Sequence, residues 1–470
     1  MARKAKLMRH LIVIGIVVAL LAGAARAEMT PEQARKLYEK VSPAFVAVQY
    51  VWETELGRRE IVGAGVIVNE EGLVMIPLSL VHPQIPDKQL KEFKVIVPSQ
   101  AKDPEELDAE FVGRDERNNV AFVRAKEKRS WTAIKFEEAK VDVGDTVVSV
   151  GVLPKSAAYK TYLVEGKVNV LLRGETPQVM VVTGMSGVGS AVFTEDGKAA
   201  GYVNAQPDQP GWLNDPRDPM RQIHDPPKFF IPSRDFLQSL SDPPVAGKTM
   251  KLPWLGVPQQ AMAGLNKDVA ETLGLKDVPA VELGDIIPGS PAAKAGIKAG
   301  SVVVKMNGES LERGDEPEEL PMILMRKIRG MEIGDKVKLS VIEGSSKEPK
   351  DIEVTLTERP PGANLAERYY AEDMGFSVRE IVFIDTYVRK LPAEQKGVVV
   401  SLIKPQSSAQ TARLQREDLI TEMNGKPVEG LQSFKKMYEA QRKDKPREAI
   451  VLVVVREGNN QTIRVEPPQE

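Results

Sequence analysis

Pro288-Gly289-Ser290-Pro291-Ala292-Ala293-Lys294-Ala295-Gly296-Ile297 runs on to Met306-Asn307-Gly308. The phrase returns as Pro405-Gln406-Ser407-Ser408-Ala409-Gln410-Thr411-Ala412-Arg413-Leu414, running on to Met423-Asn424-Gly425. Positions 288 and 405, and likewise 307 and 424, are 117 residues apart, so the copies align without a gap. Each reads as a small-residue helix, a turn, an apolar strand and an Asn-Gly turn. Each then enters another β segment, Val337-Lys338-Leu339-Ser340-Val341 or Ile450-Val451-Leu452-Val453-Val454-Val455. Helix, strand and turn repeating in register predict two copies of one small α+β module.

Upstream of the repeat the pattern changes. Pro31 to Val41 has helical spacing, with Ala34, Leu37, Tyr38 and Val41 on one side. Short β-rich runs follow to about residue 205, among them Phe45–Val51, Ala64–Val68, Leu73–Ile76, Val95–Val97, Val120–Val123, Val147–Val150, Lys167–Val170, Val179–Val182, Ala191–Phe193 and Ala200–Val203. Strands this short, separated by Gly and Asp turns, predict a barrel or sandwich. Gln206–Gly211 and Asp225-Pro226-Pro227 read as loop. Ser233 is placed to cap a short closing helix, and Asp242-Pro243-Pro244 to Lys251 reads as a linker.

The first residues have the form of a secretory signal: basic Arg3, Lys4, Lys6 and Arg9, an apolar Leu11–Ala24, and the cleavage site Ala25-Arg26-Ala27. The alternative, a retained anchor, needs a longer apolar stretch to span a bilayer core of ~30 Å, and no later segment is long and apolar enough to span. A net charge of −2, with no long basic tract, gives no basis for nucleic-acid binding. The chain has no cysteine, hence no thiolate nucleophile or metal ligand. His82 and His224, isolated from each other, do not make a zinc cluster. Walker, HExxH and dinucleotide motifs are absent, and no cofactor is expected.

The repeated segment resembles a bacterial PDZ domain, on Pro288–Gly296 and the Asn-Gly turns. Each copy has a glycine loop upstream, Trp254-Leu255-Gly256-Val257 in the first and Met374-Gly375-Phe376-Ser377 in the second. A glycine there lets successive N–H groups turn toward a terminal carboxylate while flanking apolar residues receive the last side chain. The resemblance implies that these eight residues bind peptides.

Residues 31–240 resemble the trypsin-like domain of HtrA-type periplasmic serine proteases. The resemblance rests on Gly63-Ala64-Gly65-Val66-Ile67-Val68, the strand after Gly72, Val112-Gly113-Arg114-Asp115, Val143-Gly144-Asp145-Thr146-Val147, and Asp196-Gly197 with Gly201. It implies a mainly β chain: a trypsin-like double β-barrel followed by two α+β PDZ domains. The expected divisions are a signal peptide at 1–27, a protease-like domain at 28–245, and PDZ domains at 246–360 and 361–470. It also implies a periplasmic or otherwise extracytoplasmic location, trimers or association with active homologues, and partners that are peptides or unfolded proteins.

Serine proteolysis needs a hydroxyl, an imidazole to take its proton and a carboxylate to orient the imidazole. Where the family places histidine and aspartate, this chain has Ser79 and Asn119. The serine position has two registers. Counting back from Asp196-Gly197 gives Val188; reading Gly184-Met185-Ser186-Gly187 as the nucleophile phrase gives Ser186. An alternative base is His82, three residues past Ser79, with Asp115 as a candidate acid. The expected protein is a pseudoprotease that binds peptides or protein C-termini, in envelope quality control or scaffolding. The alternative is a serine endopeptidase with a displaced triad of His82 and Ser186.

Overall fold

The structure, a computed structural model, describes residues 29–99, 103–172, 177–204, 221–245, 250–275, 278–314, 317–344, 346, 348–392 and 394–468. The signal segment and the Gln206–Gly211 loop lie outside the described residues. The first helix, Pro31–Val41, starts in a capping box: Thr30 Oγ1 accepts the Gln33 N–H and Gln33 Oε1 accepts the Thr30 N–H. Pro31 sits where no helical N–H is needed.

Six antiparallel strands then close a barrel in the order β1-β2-β3-β6-β5-β4. They are β1 (Phe45–Thr54), β2 (Gly57–Ile67), β3 (Leu73–Pro77), β4 (Leu90–Val97), β5 (Glu105–Asp115) and β6 (Val120–Ala125). The second sheet uses β7 (Thr146–Val152), β8 (Thr161–Lys167), β9 (Val170–Leu172), β10 (Gln178–Met180), β11 (Ala191–Thr194), β12 (Ala199–Val203) and β13 (Phe229–Pro232). Its path runs β8-β7-β11-β12-β13-β10-β9. One apolar cluster joins Phe45, Val66 and Phe122 of the barrel to Val148, Val150 and Tyr202 of this sheet, so the two halves share a core. Both faces of β1 are covered, which explains its unbroken apolar run Phe45–Val48.

Three local readings change. The run Lys167–Val170 is split between β8 and β9, because Val168 pairs with the turn Gly144-Asp145 instead of β7. Ser233 caps no helix: its hydroxyl donates to the Glu137 carbonyl at 2.5 Å, and the helix begins later, at Leu237–Ser241. The linker ends in a pairing: Met250 N–H donates to Arg114 O at 2.9 Å, and Glu116 N–H to Met250 O at 3.1 Å.

Beyond Met250 come β14 (Pro253–Trp254), β15 (Met262–Gly264), β16 (Val281–Leu283), β17 (Ser301–Met306), β18 (Glu309–Ser310), β19 (Lys336–Ile342), β20 (Lys350–Thr355) and β21 (Thr357–Glu358). The main sheet runs β15-β16-β17-β19-β20, with β18 on β17, and β14 pairs with β21 in a separate two-stranded sheet. The last sheet is built from β22 (Arg368–Ala371), β23 (Phe376–Arg379), β24 (Val398–Ile403), β25 (Leu419–Met423), β26 (Lys426–Pro427), β27 (Ile450–Arg456) and β28 (Asn459–Val465), in the order β22-β23-β24-β25-β27-β28.

The repeat is a repeat of bonds as well as letters. Asn307-Gly308 and Asn424-Gly425 all have positive φ, as a two-residue hairpin turn requires. Asn307 Oδ1 accepts the Lys338 N–H at 2.9 Å, and Asn424 Oδ1 accepts the Val451 N–H at 2.8 Å. Ser290 and Ser407 each cap a single helical turn, Pro291–Lys294 and Ser408–Thr411.

Candidate functional site

Ser79 lies in the 3-10 turn Leu78–Val81, directly after β3. Pro77 pairs with Val120 across β3 and β6, and the Leu78 N–H donates to Asn119 O at 3.1 Å. Ser79 and Asn119 therefore sit on adjoining turns. Asn119 has φ of 56°, a left-handed conformation that Asn tolerates better than most residues. The Ser79 hydroxyl oxygen is buried and meets no partner. Tyr50 OH, donating to Leu80 O at 2.7 Å, fixes the turn from below.

The third segment, Gly184–Ser190, seats on the barrel through Gly189. A Cβ at Gly189 would lie 2.5 Å from Ala64 O, so only glycine fits this approach. Val188 is 1% exposed and Ser186 is 0% exposed. The Ser186 hydroxyl has no partner, while its N–H donates to Ser149 Oγ at 2.8 Å. Gly187 N–H donates to the Tyr162 hydroxyl at 2.8 Å, and Gly189 N–H to Val203 O at 2.9 Å. An oxyanion hole needs N–H groups aimed at substrate; here those of Ser186, Gly187 and Gly189 are spent inside the protein.

His82 is exposed, and its Nδ1 accepts the Gln84 N–H at 3.2 Å. Partial burial of the ring, reinforced by the Arg114 cation, pushes its imidazole below the ordinary range. Arg114 lies beneath this loop, donating to Val81 O at 2.5 Å and Ile85 O at 2.9 Å and pairing with Asp87. Asp115 is fully engaged. It accepts from the Arg117 N–H at 3.0 Å, from the Asn118 N–H and side chain, and from the Ser239 hydroxyl at 2.7 Å. It holds the Asp115–Asn119 turn and is not turned toward an imidazole. That turn is also gripped from the repeat region: Arg329 donates to Glu116 O and to Arg117 O, and Arg117 pairs with Glu332 at 2.8 Å. Nothing in the local sequence around Arg329 announces this contact.

The two glycine loops are built alike. Gly256 has φ of 91°, and a Cβ there would lie 2.1 Å from Ser290 Cβ; Gly375 has φ of 71°, with Ser407 Cβ at 2.4 Å. Ala292 N–H donates to Leu255 O at 2.9 Å, and Ala409 N–H to Met374 O at 3.0 Å. The loops differ in what their N–H groups meet. Among the described residues, no acceptor meets the N–H of Leu255, Gly256 or Val257, whereas Gly375 N–H donates to Ala371 O at 2.8 Å. Leu255, Val257, Met262, Leu324 and Ile328 form an apolar bed between β15 and the helix Leu320–Arg329. Trp254 stands half-exposed, its ring edge-on to Phe383 with centroids 5.6 Å apart. In the second loop Met374, Phe376 and Ser377 are buried, and β22 lies along the outer edge of β23. Sequence reading missed this strand, although Arg368-Tyr369-Tyr370-Ala371 just before a turn is a hairpin signal.

Among the described residues no helix is long and apolar enough to cross a membrane. Residues 63–201 match the trypsin-like peptidase domain family, and residues 283–325 and 373–466 each match a PDZ domain family. A probable periplasmic serine endoprotease DegP-like of Rhizobium meliloti (strain 1021) is 26% identical over 424 residues, covering 84% of this chain and 74% of that protein. The periplasmic pH-dependent serine endoprotease DegQ of Escherichia coli (strain K12) is 24% identical over 451 residues, covering 90% and 89%. Among solved structures, the HtrA-type protease AlgW with tripeptide superposes with a TM-score of 0.53 at 17% identity, over 70% of this chain and 98% of that one. The chain carries a trypsin-like peptidase domain followed by two PDZ domains, the arrangement of the HtrA-type serine proteases.

Proposed function

We propose that this chain is an exported, non-cleaving relative of the HtrA-type proteases that binds protein C-termini or unfolded segments through its first PDZ module. One observation carries the reading. The N–H groups of Ser186, Gly187 and Gly189 are already bonded inside the protein, and by the family resemblance Ser79 and Asn119 stand where the base and the acid would be, with Val188 or Ser186 where the nucleophile would be. Losing the acid alone costs about 10⁴ in turnover of an intact triad. The displaced set fares no better. Ser186 is sealed from solvent, and Asp115 is committed to its turn.

The open N–H groups of Leu255, Gly256 and Val257 support a carboxylate site, and the apolar bed behind them suits an apolar last side chain. AlgW structures with a tripeptide and a decapeptide make peptide recognition a natural expectation for such a module. The periplasmic names of the relatives agree with export by the N-terminal signal, and trimers or pairing with an active homologue stay part of the proposal on the family resemblance alone. Protein divisions at 28–245, 246–360 and 361–470 complete the proposal.

The test is direct. The mature chain incubated with unfolded casein should leave it intact, while a fluorescent apolar-ended peptide should bind with an affinity that Trp254→Ala or Gly256→Asp weakens. Casein cleavage that disappears in Ser186→Ala would overturn the non-cleaving reading. Unchanged peptide affinity in both loop variants would overturn the placement of the groove.

A further inference from the structure

A PDZ ligand runs antiparallel to the strand that follows the glycine loop. Its terminal carboxylate accepts the loop N–H groups, and its alternate side chains enter the groove beside the long helix. In the second module β22 does each of these things. It pairs antiparallel with β23, Ala371 opposite Phe376 and Tyr369 opposite Val378. Ala371 is 1% exposed, and its carbonyl accepts the Gly375 N–H at 2.8 Å, where a carboxylate oxygen would sit.

Two residues earlier, Tyr369 faces the helix Leu431–Asp444. Its ring centroid lies 6.3 Å from that of Phe434 and 5.8 Å from that of Tyr438, with Lys435 Nζ 5.8 Å from its own. Ser377 Oγ donates to Tyr369 O at 3.2 Å. The turn of the hairpin is tied to the same helix: the Tyr438 hydroxyl donates to Asp373 at 2.5 Å, and Arg442 pairs with Asp373 at 2.8 Å. In the first module the corresponding strand β15 ends its sheet, with no strand outside it among the described residues.

We propose that Arg368–Ala371 is a tethered pseudo-ligand that closes the second PDZ groove. The tether, four residues of turn, holds the strand at an effective concentration near the millimolar range. An outside peptide enters only by displacing the strand, and the contacts it must reproduce define its class: a free C-terminus with a small last residue and an aromatic residue two places before it. The inference rests on the geometry of the second module and is independent of the first module's binding and of whether the barrel cleaves.

The probe is the peptide Arg-Tyr-Tyr-Ala with a free carboxylate and an N-terminal benzophenone, photo-cross-linked to the full mature chain and mapped within residues 431–444. The wild-type chain should give little cross-linking there. Tyr369→Ser, which removes the ring contacts with Phe434, Tyr438 and Lys435, should raise it about tenfold, and Tyr369→Phe, which keeps the ring, should stay at the wild-type level. Hydrogen exchange of the wild-type chain supplies a reading that needs no variant: the amides of 368–371 should exchange far more slowly than an exposed loop, and excess peptide should speed them. Equal cross-linking in wild type and Tyr369→Ser, or loop-like exchange of 368–371 in the free wild-type chain, would overturn the proposal.

Discussion

Replacing Ser186 by alanine separates a working nucleophile from an idle hydroxyl, and the structure gives the sign. Ser186 is 0% exposed, and its hydroxyl has no partner. A buried polar group left unpaired costs ~1–3 kcal/mol. The backbone of the loop does not depend on that hydroxyl, because the Ser186 N–H is held by Ser149 Oγ and Gly187 by Tyr162. The Cβ is retained in alanine, and it is the atom packed against β7: a Cβ at Gly151 would lie 2.8 Å from it. Ser186→Ala therefore removes one oxygen and its desolvation cost, against a void smaller than a methyl group. The expected net effect is a gain of about 1 kcal/mol, or ~2–4 °C in the melting transition of a domain this size. Calorimetry of the mature chain reads it, with casein hydrolysis measured on the same samples. A loss of 1 kcal/mol or more would mean that the hydroxyl has a partner and the reasoning is wrong. A fall in hydrolysis would mean that it is a nucleophile.

Three further outcomes follow from contacts in the modules. Gly256→Ala should cost ~2–4 kcal/mol, since it adds a Cβ 2.1 Å from Ser290 Cβ at a left-handed φ, and peptide affinity of the first module should fall with it; equilibrium denaturation and fluorescence anisotropy check both. In the second module Arg379 and Asp385 form a two-pronged buried pair at 2.6 and 2.8 Å, so Asp385→Ala, which leaves the guanidinium only the Glu380 carbonyl at 3.0 Å and the Glu417 carboxylate at 3.4 Å, should cost about 3 kcal/mol in urea denaturation, while the double change to Leu and Ala should cost less. Burial works to raise the Asp385 carboxyl, but Arg379, the Val382 N–H and Arg389 together hold it below the ordinary range. Its contribution to stability is therefore present above the unfolded carboxylate value of about 3.9 and lost as pH falls through the lower folded value; an acid titration of stability should show that loss, and Asp385→Asn should lack it.

What could be read from residues alone was whatever the chain settles locally. The helix Pro31–Val41 is legible because Ala34, Leu37, Tyr38 and Val41 recur at helical spacing within a few residues of one another. Asn307-Gly308 and Asn424-Gly425 declare hairpins because positive φ at two successive positions leaves few residue choices. Contacts between distant segments were not legible in this way. Arg379 in a strand reads as a solvent-facing cation until Asp385 is placed beside it. Arg368–Ala371, inside the second PDZ domain, shows no strand of its own until Phe434 and Tyr438, some 65 residues later, supply the surface it lies on. Around the catalytic positions the two serine registers were equally readable in letters. Letters alone do not show that Val188 and Ser186 are both sealed from solvent, or that the Ser186 and Gly187 N–H groups are held by Ser149 and Tyr162 on other strands.

The grip of Arg329 on the Asp115–Asn119 turn has a consequence for how the chain scatters X-rays. The Arg117–Glu332 pair has an exposed carboxylate and weakens as added salt shortens the Debye length from ~8 Å at physiological strength to ~3 Å at 1 M. The bonds from Arg329 to the Glu116 and Arg117 carbonyls are charge-to-dipole contacts in a half-buried seam, and the Met250 pairing beside them is backbone to backbone. Salt reaches the first of these supports and largely spares the others. The first module should thus keep a fixed bearing on the barrel, with a radius of gyration insensitive to ionic strength, so that a groove described as a receptor is also a rigid arm of known direction.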